Sequence, residues 1–262
     1  MSQPHATGKP VLWQALTWPE IAELRAGGQD LVILPVGATE QHGPHLVTGT
    51  DTLSAELVAH AVSAGTGVPV LPALAYGSSL GHSHRWPGTL SLSPATLTQT
   101  VIDLYAWLNR AGFTRLYIIN GHVTNFAPLR CALEMIRATY DNAMIALRSL
   151  AEISPRVREI YYADAADWHA NQAETALLLS QAPAAVRPDL CAGSDDTDRT
   201  EGIPFAFPVN RTSANGVTGY PSRATAGQGS ELFSMLVEDF AADIRRALAA
   251  QFPFPRAGYG HL

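Results

Sequence analysis

The sequence predicts an α/β fold built on a mostly parallel sheet, and three observations carry that expectation. Short apolar runs alternate with longer stretches of helical period, in the order β-α-β-α. The first run, LVILPV, is continuous rather than alternating, as suits a strand covered on both faces. At 262 residues the chain can bury a core of its own, and residues 1–262 read as one large domain rather than two small ones.

The elements follow in order. Leu31 to Val36 is the first strand, and it runs out into the polar loop GATEQHGPHLVTGT. Helical period starts near Asp51 and lasts to about Ala64, where Gly65 and Gly67 act as stop signals. Val68 to Leu71 reads as a short strand. After a loop rich in Gly, Ser and His, Ser93 supplies a capping hydroxyl and Pro94 suits the first position of a helix that ends near Gly112. Arg115 to Asn120, RLYIIN, is the next strand. The loop GHVTN leads into a helix through about Tyr140, and a strand spans Ala143 to Leu147. Asn171 to Ser180 reads as a helix, and Gly229 to Ala250 as the last one. Between them, Arg187 to Thr225 is rich in Gly, Pro, Asp and Thr and long for a loop, which signals functional or interface use.

Composition excludes several classes of function. Hydrophobic residues make up 47% and charged residues 15%, so much of the chain is interior or lies at subunit contacts, and a homo-oligomer is expected. The net charge of −6 and the scattered Lys and Arg offer no footprint for nucleic acid. The start, MSQPHATGKP, shows no secretory pattern, and no apolar run approaches the ~20 residues that cross a bilayer, so the expectation is a cytoplasmic protein without a membrane partner. Cys131 and Cys191 are too few and too far apart in sequence for a disulfide framework.

The chemistry gathers where strands end, because ligands of open parallel sheets bind at their carboxyl ends. Glu40 and His42 are two apart, so an extended segment points both the same way. Asp51, at the start of the next helix, has two oxygens that can bridge two cations, and His122 arrives from a separate strand. Singly, each residue has a plainer reading: a solvated turn beside Gly43 and Pro44, a helix cap at Asp51, a hydrogen-bonding histidine at His122. The joint pattern of carboxylate, imidazole and carboxylate on one strand-end loop favours a metal site.

The segment PVGATEQHGPHLVTGTD (Pro35 to Asp51), with NGH at Asn120 to His122 and PGTLSL at Pro87 to Leu92, resembles the creatininase family of amidohydrolases. HANQAET (His169 to Thr175) and GVTGYPSRAT (Gly216 to Thr225) extend the resemblance, which covers about residues 31 to 230. It implies a three-layer αβα sandwich, a homohexamer, and two divalent metal ions per subunit, zinc or manganese foremost with iron as a further option. By that resemblance Glu40 and His122 would hold one ion, His42 the other, and Asp51 would bridge them. The family's type member has a glutamate at the position of Thr124 to complete the second site, and Glu174 is the candidate to supply the missing ligand. His169 would be the general acid or base, with Glu174 beside it in the catalytic set. The type member also carries a substrate-covering tryptophan where Ala165 stands, which points to a different substrate.

The loop Tyr76 to Thr89, YGSSLGHSHRWPGT, would form part of the pocket wall, so Tyr76, Ser78, His82, His84, Trp86 and Gly88, together with Thr124, are the candidate substrate contacts. His82 or His84 could reach substrate or metal, or both could be exposed loop histidines; Trp86 more readily packs. The expected reaction is metal-assisted hydrolysis of a C–N bond in a small cyclic amide or related amide, with His169 passing a proton to the departing nitrogen. Deformylase and peptidase-like activities are the alternatives within the family, and a non-catalytic metal-binding assembly protein is the alternative outside it. There is no GxSxG elbow, Walker loop or properly placed GxGxxG.

Overall fold

Three parallel strands stand at the centre of a computed structural model that describes residues 8–82 and 84–252. The first residues, read above for a targeting signal, lie outside the described part, as do 253–262. The helices are α1 (Trp18–Ala26), α2 (Thr50–Thr66), α3 (Pro94–Arg110), α4 (Phe126–Thr139), α5 (Pro155–Tyr161), α6 (Gln172–Gln181), the short α7 (Pro188–Cys191) and α8 (Val209–Thr212), and α9 (Ala226–Ala249). The strands β1 (Leu31–Val36), β2 (Arg115–Asn120) and β3 (Met144–Ser149) pair in that order.

All six residues of β1 and the last five of β2 are buried, as strands covered on both faces require. Alternate residues feed two separate cores. Leu31, Ile33, Tyr117 and Ile119 pack against α2, α5, α6 and α9, while Val32, Leu34, Leu116 and Ile118 pack against α3 and α4. Helices therefore cover both faces of the sheet, which is the expected αβα sandwich. Each fully buried side chain of this size, such as Phe240 or Ile118, contributes roughly 1.5–3 kcal/mol from its removal from water.

The expected strand at Val68 to Leu71 is only a set of parallel bridges, Val70 with Ile33 and Leu12, and Leu74 with Val36. The reason lies in β1. Ile33 N donates to Pro69 O and Leu71 N to Ile33 O, both at 2.8 Å, but Pro35 has no N–H to make the next rung. The ladder resumes as Leu74 N donates to Pro35 O at 3.0 Å.

β3 begins and ends later than the expected 143–147, because Arg148 and Ser149 still pair with Ile119 and Asn120. α1 and α5 were not foreseen. The stretch from Arg187 to Thr225 is not a bare loop: it holds α7, α8 and two antiparallel bridges, His169 with Thr218 and Asp196 with Gly219. α9 starts at Ala226, before the expected Gly229, because Thr225 and Gln228 form a capping box. It lies directly on α6: a Cβ at Gly229 would sit 1.8 Å from Ala176 O. Cys131 and Cys191 are free thiols. No described helix is long and apolar enough to cross a membrane.

Candidate metal centre

Two helix starts and two strand ends meet at one point. Gly121 N donates to Val36 O at 2.8 Å, so the ends of β1 and β2 leave the sheet together. The loop after β1 folds back on itself, with Glu40 N donating to Thr48 O at 2.9 Å and His42 bridged to Leu46. Asp51 is the second residue of α2, and Gly121 lets β2 pass against it: a Cβ there would lie 2.3 Å from Asp51 O. On the far side Asn171 caps α6 by accepting from Ala173 N and Glu174 N, which sets Glu174 in the first turn. Asp51 and Glu174 thus both stand where a helix dipole favours negative charge.

Glu40, His42, Asp51, His122 and Glu174 are all buried, between 0% and 5% exposed. Their ligand atoms form two groups, Glu40–Asp51–His122 and His42–Asp51–Glu174, each mutually within 4.8 Å, with Asp51 common to both. Asp51 Oδ2 lies 3.3 Å from His122 Nδ1, and Asp51 Oδ1 lies 3.2 Å from His42 Nε2. Glu40 Oε2 is 3.3 Å from His122 Nε2, and Glu174 Oε1 is 3.8 Å from His42 Nε2.

Proximity here is not hydrogen bonding. Glu40 Oε2, His42 Nε2, Asp51 Oδ2 and Glu174 Oε2 are buried without a hydrogen-bond partner in the protein, a state that costs about 1–3 kcal/mol or more per group. Three carboxylates and one imidazole with unsatisfied buried atoms, joined by the imidazole of His122, are a donor set for divalent ions such as zinc or manganese, so the residues fit the group the resemblance implies. Electrostatics agree. Burial disfavours charge on His42, yet Asp51 and Glu174 override it and hold its pKa well above the ordinary value. Burial also opposes charge on Glu40, but the imidazoles of His122, His82 and His169 hold its carboxyl well below the usual range. The carboxylates that hold a proton on His42 this firmly would hold a cation in its place.

His169 faces this centre from the opposite wall. Its Nδ1 donates to Gly216 O at 2.7 Å, and its Nε2 lies 3.0 Å from Glu40 Oε1. The backbone is pinned on both sides by His169 N to Thr218 O and Thr218 N to His169 O, at 3.0 and 2.8 Å. Ala170 follows in a left-handed conformation, φ 50°, that a non-glycine residue adopts only when its surroundings enforce it. Asp164 supplies the enforcement: its carboxylate accepts from Asn171 Nδ2 at 2.7 Å, Gln172 N at 3.1 Å and Tyr220 N at 2.8 Å.

A cavity of about 160 Å³ opens above these residues. Of the candidate wall residues, His82 and Thr124 line it. Tyr76, Ser78, His84, Trp86 and Gly88 are not among its lining residues: Tyr76 is 54% exposed, Trp86 stacks under Arg85, and His84 and Gly88 occupy exposed turns with φ of 75° and 108°. Ser78 acts behind the wall, its carbonyl accepting from Thr124 Oγ1 and lying 3.1 Å from His122 Nε2. Thr124 therefore stands beside the Glu40–His122 group, whereas Glu174 closes the His42 group. The sequence reading did not single out Tyr162, Asp167, Trp168 and Phe207, which also line the cavity. Trp168 adjoins His169, and Phe207 lies in the long segment already suspected of function.

The family model described as creatinine amidohydrolase matches residues 14–244. The chain belongs to the creatininase family. The creatinine amidohydrolase of Pseudomonas putida is 31% identical over 261 residues, covering 90% of this chain and 97% of that one. The mycofactocin precursor peptide peptidase of Mycolicibacterium smegmatis is 33% identical, covering 82% and 85%. Among solved structures, a creatininase described with manganese superposes with a TM-score of 0.82 at 30% identity, covering 92% of this chain and all of that one. A creatininase mutant of the Zn–Zn type gives the same score and coverage. Creatininase-family membership makes the protein a hydrolase by lineage, and its buried groups of side chains that could hold a metal accord with that.

Proposed function

We propose that this protein is a dinuclear metal-dependent amidohydrolase that cleaves the C–N bond of a small cyclic or related amide. The observation that supports it most is the sharing of Asp51 between two ligand groups that hold unsatisfied buried atoms, beneath a cavity that His169 lines. Divalent zinc or manganese, held by Glu40, Asp51 and His122 on one side and by Asp51, His42 and Glu174 on the other, would supply an acidic water and a polarised carbonyl. The chain's own residues supply the rest. Gly216 O fixes the His169 ring through Nδ1, so that Nε2 can carry a proton to the departing nitrogen, which could not leave as an anion.

The described residues that line the cavity include no Lys or Arg, so its wall holds no permanent cationic side chain for a phosphate or carboxylate of the substrate. That favours a neutral or cationic amide. Ala165 in place of a covering tryptophan argues for a substrate other than creatinine. A second reading, cleavage of a peptide, is favoured by Phe207 and Val123, 45% and 50% exposed, which line the cavity and offer apolar contact to a longer chain. Trp18 and Trp107, 81% and 69% exposed, are candidates for subunit contacts in the homohexamer that the resemblance implies.

Metal analysis followed by a panel of cyclic amides, formamides and peptides tests the proposal. The wild type is expected to hold two ions per chain and to hydrolyse at least one class. Glu40→Gln should stay folded, lose one ion, and lose roughly 100-fold or more in turnover. A wild-type protein that binds neither zinc nor manganese, or a fully active Glu40→Gln, overturns it.

A further inference from the structure

His82 is used by neither ligand pair described so far, yet its position is not that of an ordinary loop histidine. It is 8% exposed, and its Nδ1 is buried without a hydrogen-bond partner. That nitrogen lies 3.5 Å from Glu40 Oε1, the same oxygen that His169 Nε2 approaches at 3.0 Å. One ring nitrogen each of His82 and His169 and a Glu40 carboxylate oxygen lie within 4.8 Å of one another. The two Glu40 oxygens therefore face different partners: Oε2 faces His122, and Oε1 faces His82 and His169.

We propose that Glu40 Oε1, His82 and His169 form a third, auxiliary position for a borderline divalent cation such as zinc, and that filling it inhibits the enzyme. The inference rests on the two-ion reading above. Two imidazoles and one carboxylate are a usual zinc ligand set that leaves a fourth position for water. Occupancy would tie up Nε2 of His169, the nitrogen assigned to proton transfer, so a bound ion and a working acid exclude each other. A third dication also meets the repulsion of the two already present, with only three carboxylates to offset them. The position is therefore the weakest of the three and fills only in excess metal.

The test is a zinc titration of the protein already loaded with two ions, read by equilibrium dialysis with elemental analysis. The wild type should take up a third equivalent more weakly than the first two, and activity should fall in step with that uptake. His82→Ala should still hold two ions, lose the third, and need at least about tenfold more zinc to halve its own starting activity. His82→Asn, which keeps a polar side chain in the buried site, guards against a folding defect and should behave the same way; circular dichroism of both variants confirms the fold. A wild type that saturates at two, or a folded His82 variant that keeps the third, refutes the auxiliary position while leaving the two-ion centre standing. A wild type that binds none refutes both.

Discussion

Gly121→Ala probes the centre without touching a ligand. The added Cβ would lie 2.3 Å from Asp51 O, 3.2 Å from Asp51 C and 3.4 Å from Ala55 Cβ, whereas ordinary contact begins at 3.4 Å. The obstacle is the backbone of α2, not a side chain that can swing aside, so the end of β2 and the start of α2 must separate by about 1 Å. Overpacking of this kind costs about 1–3 kcal/mol. At roughly 2–4 °C per kcal/mol for a domain of this size, Tm should drop by about 2–12 °C. The same separation pulls His122, the next residue, away from Asp51, and ligand distances tolerate only about 0.2 Å. Zinc affinity should fall tenfold or more, and a 1 Å misplacement of a catalytic group can cost about 100-fold in rate. Calorimetry and zinc competition against a chromophoric chelator read the two effects, with Gly65→Ala as the control because its methyl meets open space. A Gly121→Ala protein with wild-type Tm and zinc affinity would refute the claim that the bare Cα sets the spacing of the ligands.

Two further predictions concern residues around the centre. His45 is fully buried with a pKa lowered to about 4, mainly by burial and then by the charge of His42, so it folds neutral and ionises more readily when unfolded. Its stabilising share is present above pH ~6.5 and is lost as pH falls toward 4, up to about 3 kcal/mol; denaturant melts of His45→Gln should therefore show a shallower loss over that window, and an identical slope would count against it. Asp164→Ala removes three backbone and amide partners that hold Ala170 in its strained conformation, and should cost about 3 kcal/mol while lowering kcat more than it raises KM. An unchanged kcat would mean that His169 is placed by Gly216 and Thr218 alone.

The parts of this molecule that were legible from sequence share a physical cause. β1 and β2 are buried on both faces, so burial and hydrophobic pattern coincide there. Ser93 and Pro94 announced α3 through cap chemistry, and Ser154 and Pro155 mark α5 in the same way, although seven residues are too few to show a helical period. α1 has no buried residue and so no apolar stripe; its signals were Thr17, Pro19 and Glu20 at the cap. The bridges at Val70 failed to become a strand because of Pro35, on a neighbouring strand, which no local pattern can register. In the site, Glu40, His42 and Asp51 lie close enough along the chain to be seen together. The roles of His45, Asp164 and Phe207 depend on partners that only the tertiary fold brings near, so no motif carries them.

The proposed ligand set is scattered along the chain from Glu40 to Glu174, across two strand ends and two helix starts. An unfolded polypeptide would not hold those five side chains together, so a cation bound by them would favour the native state. Metal supply would then act on folding by mass action: each tenfold rise of free ion above its dissociation constant would add about 1.4 kcal/mol to the native side of the equilibrium. A cell that withholds the metal would thereby withdraw more than catalysis, because the pool of folded protein would shrink along with it.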